Sequence, residues 1–319
     1  MSNITELGHD ITLIDLYDLG MKERTGSYVI RAEELTIVET SASPSIPHLV
    51  AGLKQLNIDP NDVKHIIVTH IHLDHAGGVG AFLDHCPNAN VYVHPKGRRH
   101  LANPSHLIAG ARAVYGEAFD ELFNPILPVP EERLIVKEDG ETLQIGENRT
   151  LTFYDTPGHA KHHFSIHDSR SNGIFTGDTI GILYPLVIHN KAFVLPTTSP
   201  NHFDPDAMLQ SMERIRNLKV GAIYFGHYGM TDNPVIVYDQ MEYWLPRFVE
   251  VGKSVMEEHP DADFKVQSQQ VSDQLITKVR TYLSNQGIDK EDDIYSYLLL
   301  DMQVCAMGIV DYLRKKNIK

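Results

Sequence analysis

The decapeptide THIHLDHAGG, residues 69–78, places three histidines and an aspartate within six positions: His70, His72, Asp74 and His75. It directly follows the apolar run Ile66, Ile67, Val68. Alternate side chains of an extended chain point to the same side, so His70 and His72 present two imidazoles together at a strand end. Asp74 and His75 follow where the chain turns into a helix expected to start at Ala76, and they reach the same point from another direction. Gly77 and Gly78 remove side-chain bulk where backbone passes close to a ligand or ion. Nitrogen donors with a carboxylate suit borderline ions such as Zn²⁺, and also Fe or Mn.

Three other segments end in the same chemistry. YDTPGHAKHH (154–163) brings His159 just after a strand and a Pro-Gly turn, IFTGDT (174–179) puts Asp178 after an apolar strand and a glycine, and IYFGHYG (223–229) puts His227 between glycines. Each is an apolar strand with a metal-type residue at its carboxyl end, which is where α/β proteins commonly build sites.

The rest of the chain frames these segments. Short strands are expected at ITLIDLY, SYVIRA, LTIVET, HIIVTH and NVYVHP, then near RLIV, ETLQI, RTLTFYDT, HFSIHD, GIFTGD and VGAIYFGH. A helix is expected over about 47–56, helical pieces within 96–130, and a helix opened by Asp204 as N-cap with Pro205 at its first position. From Asn233 onward, apolar stripes at helical spacing predict three helices, with Pro246 bending the first. The expected organisation is an α/β domain over 1–238 and a helical C-terminal extension over 239–319.

Of 319 residues, 42% are apolar and 22% charged, an ordinary globular balance. The net charge of −14 repels phosphate backbones, so nucleic acid is not an expected partner. The two cysteines, Cys86 and Cys305, offer neither a disulfide framework nor a thiolate zinc site. No signal-peptide pattern opens the chain, and no window approaches the ~18 consecutive apolar residues of a membrane span. A cytoplasmic protein without membrane attachment is expected.

HIHLDH (70–75), TPGH (156–159), TGD (176–178) and FGH (225–227) resemble, in order and interval, the motifs of the metallo-β-lactamase superfamily, nearest its glyoxalase II, thioesterase and lactonase branch. The similarity covers roughly residues 10–238. It implies an αββα sandwich with the site at one edge of two sheets. It also implies that His70, His72 and His159 hold one divalent ion and that Asp74, His75 and His227 hold a second. Asp178 would bridge the two. Zn²⁺ is the expected metal, with Fe or Mn as alternatives, and a hydroxide between the ions would attack a small ester, thioester or lactone. Asp74 is a candidate proton acceptor as well as a ligand. Tyr184, after the bridging aspartate, is a candidate donor to substrate oxygen, against the plainer reading that it packs beside Pro185.

Other residues have plainer readings. His65 reads as an edge or surface residue. His163 stands where glyoxalase-type relatives carry a second histidine, and it reads equally as a strand residue. Tyr115, Phe119 and Phe123 share a helical face that suits a lid over an apolar substrate but more often forms core. The turn VETSAS departs from the family's Asp-x-Gly, and the basic glutathione-binding positions of glyoxalase II are not found. The terminal helices would wall the pocket or pair two copies into a homodimer. Two rival functions stand beside hydrolysis. One is a persulfide-dioxygenase-like oxidoreductase with a single iron on His70, His159 and Asp178. The other is a non-catalytic, metal-bound effector. The flavodiiron class has a glutamate where this chain has His72, which counts against that branch.

Overall fold

The computed structural model describes residues 3–317 and divides into two compact units. The outermost ends of the two expected domains, residues 1–2 and 318–319, lie outside the described residues. The first unit comprises 1–156, 162–177 and 219–233; the second comprises 157–161, 178–218 and 234–319.

The first unit is built on two sheets. Strands β1 (Ile4–Glu6), β2 (Ile11–Asp15), β3 (Gly26–Ile30), β4 (Leu35–Val38), β5 (Val63–Ile67), β6 (Asn90–Val93) and β7 (Leu134–Val136) form a seven-stranded sheet in chain order. It is antiparallel through β4 and parallel from β4 to β7. Next come β8 (Thr142–Gly146), β9 (Arg149–Asp155), β10 (Phe164–Asp168) and β11 (Gly173–Phe175). The hairpin β12 (Ile182–Ile188) and β13 (Lys191–Leu195) belongs to the second unit, and β14 (Ala222–Tyr224) and β15 (Met230–Thr231) return to the first. The second sheet has the order β15-β14-β11-β10-β9-β8.

Alternation along the strands explains the layering. Leu13, Tyr28, Ile30, Val38, Ile67 and Tyr92 from the first sheet pack with Phe153, Phe164, Ile166, Phe175 and Tyr224 from the second. The other face of the seven-stranded sheet offers Ile14, Val29, Ile37, Ile66 and Val91 to Leu49 and Leu53 of α1 (Ile46–Gln55) and to nearby helical residues.

The ligand-rich segment itself is more helical than its sequence suggests. It contains α2 (Leu73–Ala76) and then α3 (Val79–Leu83), so the helix starts at Leu73 rather than Ala76. His72, extended at φ −63° and ψ 151°, takes the N-cap position, and Asp74 falls in the first turn, where a negative charge suits the helix dipole. The pieces within 96–130 are α4 (Arg98–Ala102), α5 (Ser105–Tyr115) and α6 (Phe119–Phe123). Phe119 and Phe123 are buried with Ala42 and Leu73, so they form a small core of their own.

The second unit carries α7 (Pro205–Asn217), α8 (Pro234–Glu258), α9 (Phe264–Asn285) and α10 (Ile294–Asn317). Asp204 caps α7 by accepting from the amides of Asp206 and Ala207. Pro246 lies inside α8. Helix α10 is long and apolar enough to cross a membrane by length and composition alone, with 56% of its most apolar window buried inside the protein.

Candidate metal centre

In the first unit, β5 ends at Ile67 and delivers Thr69 to His75 at the carboxyl edge of the parallel strands. His70 and His75 are fully buried, and His227, after β14, is 5% exposed. Nε2 of His70 faces Nδ1 of His72 at 3.0 Å. Nitrogen ligands bonded at about 2.0–2.1 Å to one ion stand roughly 3–3.5 Å apart, so this spacing suits a shared cation. Asp74, His75 and His227 form a second convergence, with ligand atoms all within 4.8 Å of one another. One carboxylate oxygen of Asp74, Oδ2, lies 3.6 Å from His75 Nε2 and 3.8 Å from His227 Nε2. The donor set, two buried imidazoles and a partly exposed carboxylate, fits a borderline dication.

Outer partners fix these rings. Thr69 Oγ1 lies 3.0 Å from His70 Nδ1, leaving Nε2 of that ring as the inward donor. Glu39, 1% exposed, accepts from the Thr69 amide at 3.0 Å and puts its other oxygen 3.4 Å from His75 Nδ1. A carboxylate behind a ligating imidazole orients the ring and raises its basicity. Glu39 belongs to the turn VETSAS. That turn keeps left-handed backbone at Glu39 (φ 68°) and Ser41 (φ 60°) although it has no glycine. The sequence shows only a departure from the family's turn; the buried carboxylate that serves the site was not legible as such.

Asp18 was also missed. It sits in a tight turn between left-handed Tyr17 and Leu19 and is 3% exposed. Burial pushes its carboxyl up to about 6, against the lowering pull of Arg24, whose Nε is 3.9 Å away; the charge of Asp74 adds to the rise. His163 is fully buried, with Nδ1 3.0 Å from Thr156 Oγ1 and its ring centroid 5.0 Å from that of His70. His162 packs edge-on to His72 at 5.5 Å. Both therefore stand beside the cluster rather than on a plain strand face. His65 instead meets Glu34 at 2.6 Å, and His94 meets Asp155 at 3.2 Å.

The glycines beside the motifs are needed for close approach. A Cβ on Gly177 (φ +48°) would lie 2.5 Å from both His163 Nε2 and Thr69 Oγ1. One on Gly226 would lie 2.7 Å from the Gly177 Cα and 3.0 Å from His75 Cε1.

In the second unit, His159 and Asp178 come together, with Nε2 to Oδ2 at 3.5 Å, and they are 1% and 2% exposed. His159 Nδ1 lies 3.1 Å from the Thr197 carbonyl, to which it donates, so the Nε2 lone pair is the ligand atom on the Asp178 side. The segment 157–161 is tied to α7: the Ser211 hydroxyl donates to the Pro157 carbonyl at 2.6 Å, and the Asp204 amide donates to that of Gly158 at 2.8 Å. Tyr184, on β12, is 3% exposed and donates its hydroxyl to Asp301 Oδ2 of α10 at 2.8 Å.

A family model described as the metallo-beta-lactamase superfamily matches residues 24–227. The metallo-beta-lactamase fold-containing protein ST1585 of Sulfurisphaera tokodaii is 27% identical over 223 residues, 69% of this chain and 78% of its own length. Its crystal structure superposes with a TM-score of 0.65 at 21% identity, covering 95% of this chain and 98% of that one. An N-acyl homoserine lactonase, AttM of Azorhizobium caulinodans, is 32% identical over 117 residues, 37% of this chain and 40% of the relative. The rubredoxin-oxygen oxidoreductase of Megalodesulfovibrio gigas is 26% identical over 130 residues, 41% of this chain and 26% of the relative. The aligned stretches thus span well under half of these last two proteins.

Proposed function

Because the chain belongs to the metallo-β-lactamase superfamily, with an α+β fold and C-terminal helices, we propose that it is a binuclear metal-dependent hydrolase of a small ester, thioester or lactone. The superfamily contains hydrolases, lactonases among them, and also oxidoreductases, so membership alone gives metal chemistry rather than the reaction. The observation that supports a two-ion centre over the single-iron alternative is the donor trio Asp74, His75 and His227, whose ligand atoms lie within 4.8 Å of one another. A second ion needs such a trio, whereas a single-iron centre on His70, His159 and Asp178 leaves it without a role.

In this reading His70, His72 and His159 bind one ion, Asp74, His75 and His227 the other, and Asp178 both. Two divalent ions, Zn²⁺ first among them, would supply Lewis acidity and a nucleophile drawn from water at neutral pH. The chain's own residues orient and hold protons. Glu39 and Thr69 keep His75 and His70 in the tautomers that face inward. Asp74 is the one carboxylate of the trio and its most accessible side chain, 27% exposed against 0% for His75 and 6% for His227. It is therefore the residue proposed to accept a proton. Tyr184 would reach substrate oxygen only by sharing or giving up its hydrogen bond to Asp301.

The test is metal analysis of protein purified without added ions, followed by an ester, lactone, thioester and phosphoester screen. Two ions per chain and turnover of a carboxylic ester, thioester or lactone are expected, and Asp178→Ala should abolish turnover and lower bound metal. One iron per chain with oxygen uptake, or full activity in Asp178→Ala, overturns the reading.

A further inference from the structure

A groove of about 600 Å³ lies between α8 and α9, wholly within the second unit. That volume is in the range of small-molecule sites. Its floor is aromatic. Trp244 meets Tyr243 at 5.0 Å and 88°, and Tyr282 at 5.0 Å and 79°. Tyr243 and Tyr282 are 6.1 Å apart. Trp244 is 1% exposed, while Tyr243 is 42% exposed, so a ring surface stays open to solvent.

The rim carries two cations, Arg247 and Lys278, and one acid, Asp273. Arg247 stands over Tyr243, with its guanidinium carbon 3.7 Å from the ring centroid, and donates to the Tyr243 carbonyl at 2.6 Å. Asp273 accepts from Gln269 at 2.9 Å. Among the described residues neither Arg247 nor Lys278 forms an ion pair. In a chain of net charge −14, the two cations on this rim outnumber its one acid. An anion gains there from both cations, and a flat apolar body gains from ring faces and edges.

We propose that this groove binds a small aromatic carboxylate, with its ring on Tyr243 and Tyr282 and its carboxylate on Arg247 and Lys278. The groove shares no residue with the metal centre, so its test does not depend on the hydrolase reading.

Trp244 is the chain's single tryptophan, and its fluorescence therefore reports the groove directly. Full-length protein is titrated with benzoate and 3-phenylpropionate, with benzamide as the uncharged control, before and after metal chelation. A saturable change with the carboxylates, unaltered by chelation and weaker with benzamide, is expected. Lys278→Glu and Arg247→Ala should weaken binding by roughly 10- to 100-fold, as loss of a charge-assisted hydrogen bond implies, and Asp273→Asn should tighten it. These are surface substitutions, and circular dichroism checks that each variant folds. The absence of a saturable change, an equal response to benzamide, or loss of the response on chelation overturns the proposal. So does sedimentation showing a dimer that Lys278→Glu disrupts and benzoate leaves intact, since a second copy would then fill the groove.

Discussion

Two places in the first unit bury charge, and they do so in opposite ways. At the strand pair β9–β10, Arg149 and Asp168 are 3% and 0% exposed and meet in a closed fork, with contacts of 2.9 and 2.7 Å. The Ser171 hydroxyl adds a third hydrogen bond to the carboxylate at 2.7 Å, and the His9 carbonyl takes another guanidinium N–H at 2.8 Å. Charge there is balanced within the protein. Around residues 69–78, three carboxylates, Glu39, Asp18 and Asp74, gather among buried imidazoles with the Arg24 guanidinium beside one of them. Burying acid in excess of base is costly unless a cation completes the set. The difference separates an ion pair that serves the fold from a cluster that serves a ligand.

The strongest way to break this comparison is to remove a donor from the open cluster. His75→Ala should cost turnover more than the roughly 10–100-fold typical of an outer partner while leaving the melting temperature of metal-free protein nearly unchanged. A matching collapse in metal-free stability would mean that the cluster serves the fold, as the Arg149 pair does. Inductively coupled plasma analysis and calorimetry on the same samples decide it.

The closed pair should behave in the reverse sense. Asp168→Asn should cost about 3–5 kcal/mol of stability, the usual result of leaving one partner of a buried pair behind, with metal content unaltered. Burial raises the Asp168 carboxyl, but the hydrogen bonds from Arg149 and Ser171 outweigh it and hold the group below its ordinary 3.8. A lowered folded value means that the stabilisation is present above pH 3.8 and lost as pH falls through the folded value. The gap in urea midpoint between wild type and Asp168→Asn should therefore be constant at neutral pH and begin to narrow as pH falls below 3.8. Parallel curves would remove this assignment.

Glu39→Gln sharpens the contrast from inside the open cluster. It keeps size and the acceptor for the Thr69 amide but removes charge behind His75. Metal affinity should fall by roughly 10–100-fold, read by competition with a chromophoric chelator, with small change in the metal-free melt.

How much of this was legible beforehand follows from what each region repeats. Most strands, though not the short β1 and β15, were readable because segments such as β5, β9 and β14 alternate or run apolar ahead of a metal-type residue. The three terminal helices were readable from stripes such as Val271, Leu275 and Val279, all fully buried. The hairpin 182–195 was not: Pro185 breaks the pattern, and its turn uses His189 and Asn190 at φ 49° and 62° rather than a glycine. Asp18 and Glu39 escaped because their importance comes from burial and from which ring they stand behind. A single sequence encodes neither. The helix at Leu73 began earlier than read because His72, seen only as a donor, also occupies the N-cap position.

The smallest expected effect belongs to an aspartate that resembles the ligands only in type. Asp204 lies outside the strands and helices as Asp178 does, yet its Oδ1 accepts from the amides of Asp206 and Ala207 at 3.1 Å each. It is exposed and stands before Pro205, the first residue of α7. Two orphan helix amides explain it fully, so no cation is required. Asp204→Ala should cost about 1 kcal/mol, and Asp204→Ser should restore most of it, because a hydroxyl caps as well as a carboxylate does. Neither variant should change metal stoichiometry, although the Asp204 amide holds the Gly158 carbonyl beside His159, since that contact is made by backbone that both variants keep. A loss of bound metal in Asp204→Ala that Asp204→Ser does not repair would mean that the carboxylate itself steadies the His159 loop, and would move Asp204 from the closed class to the open one.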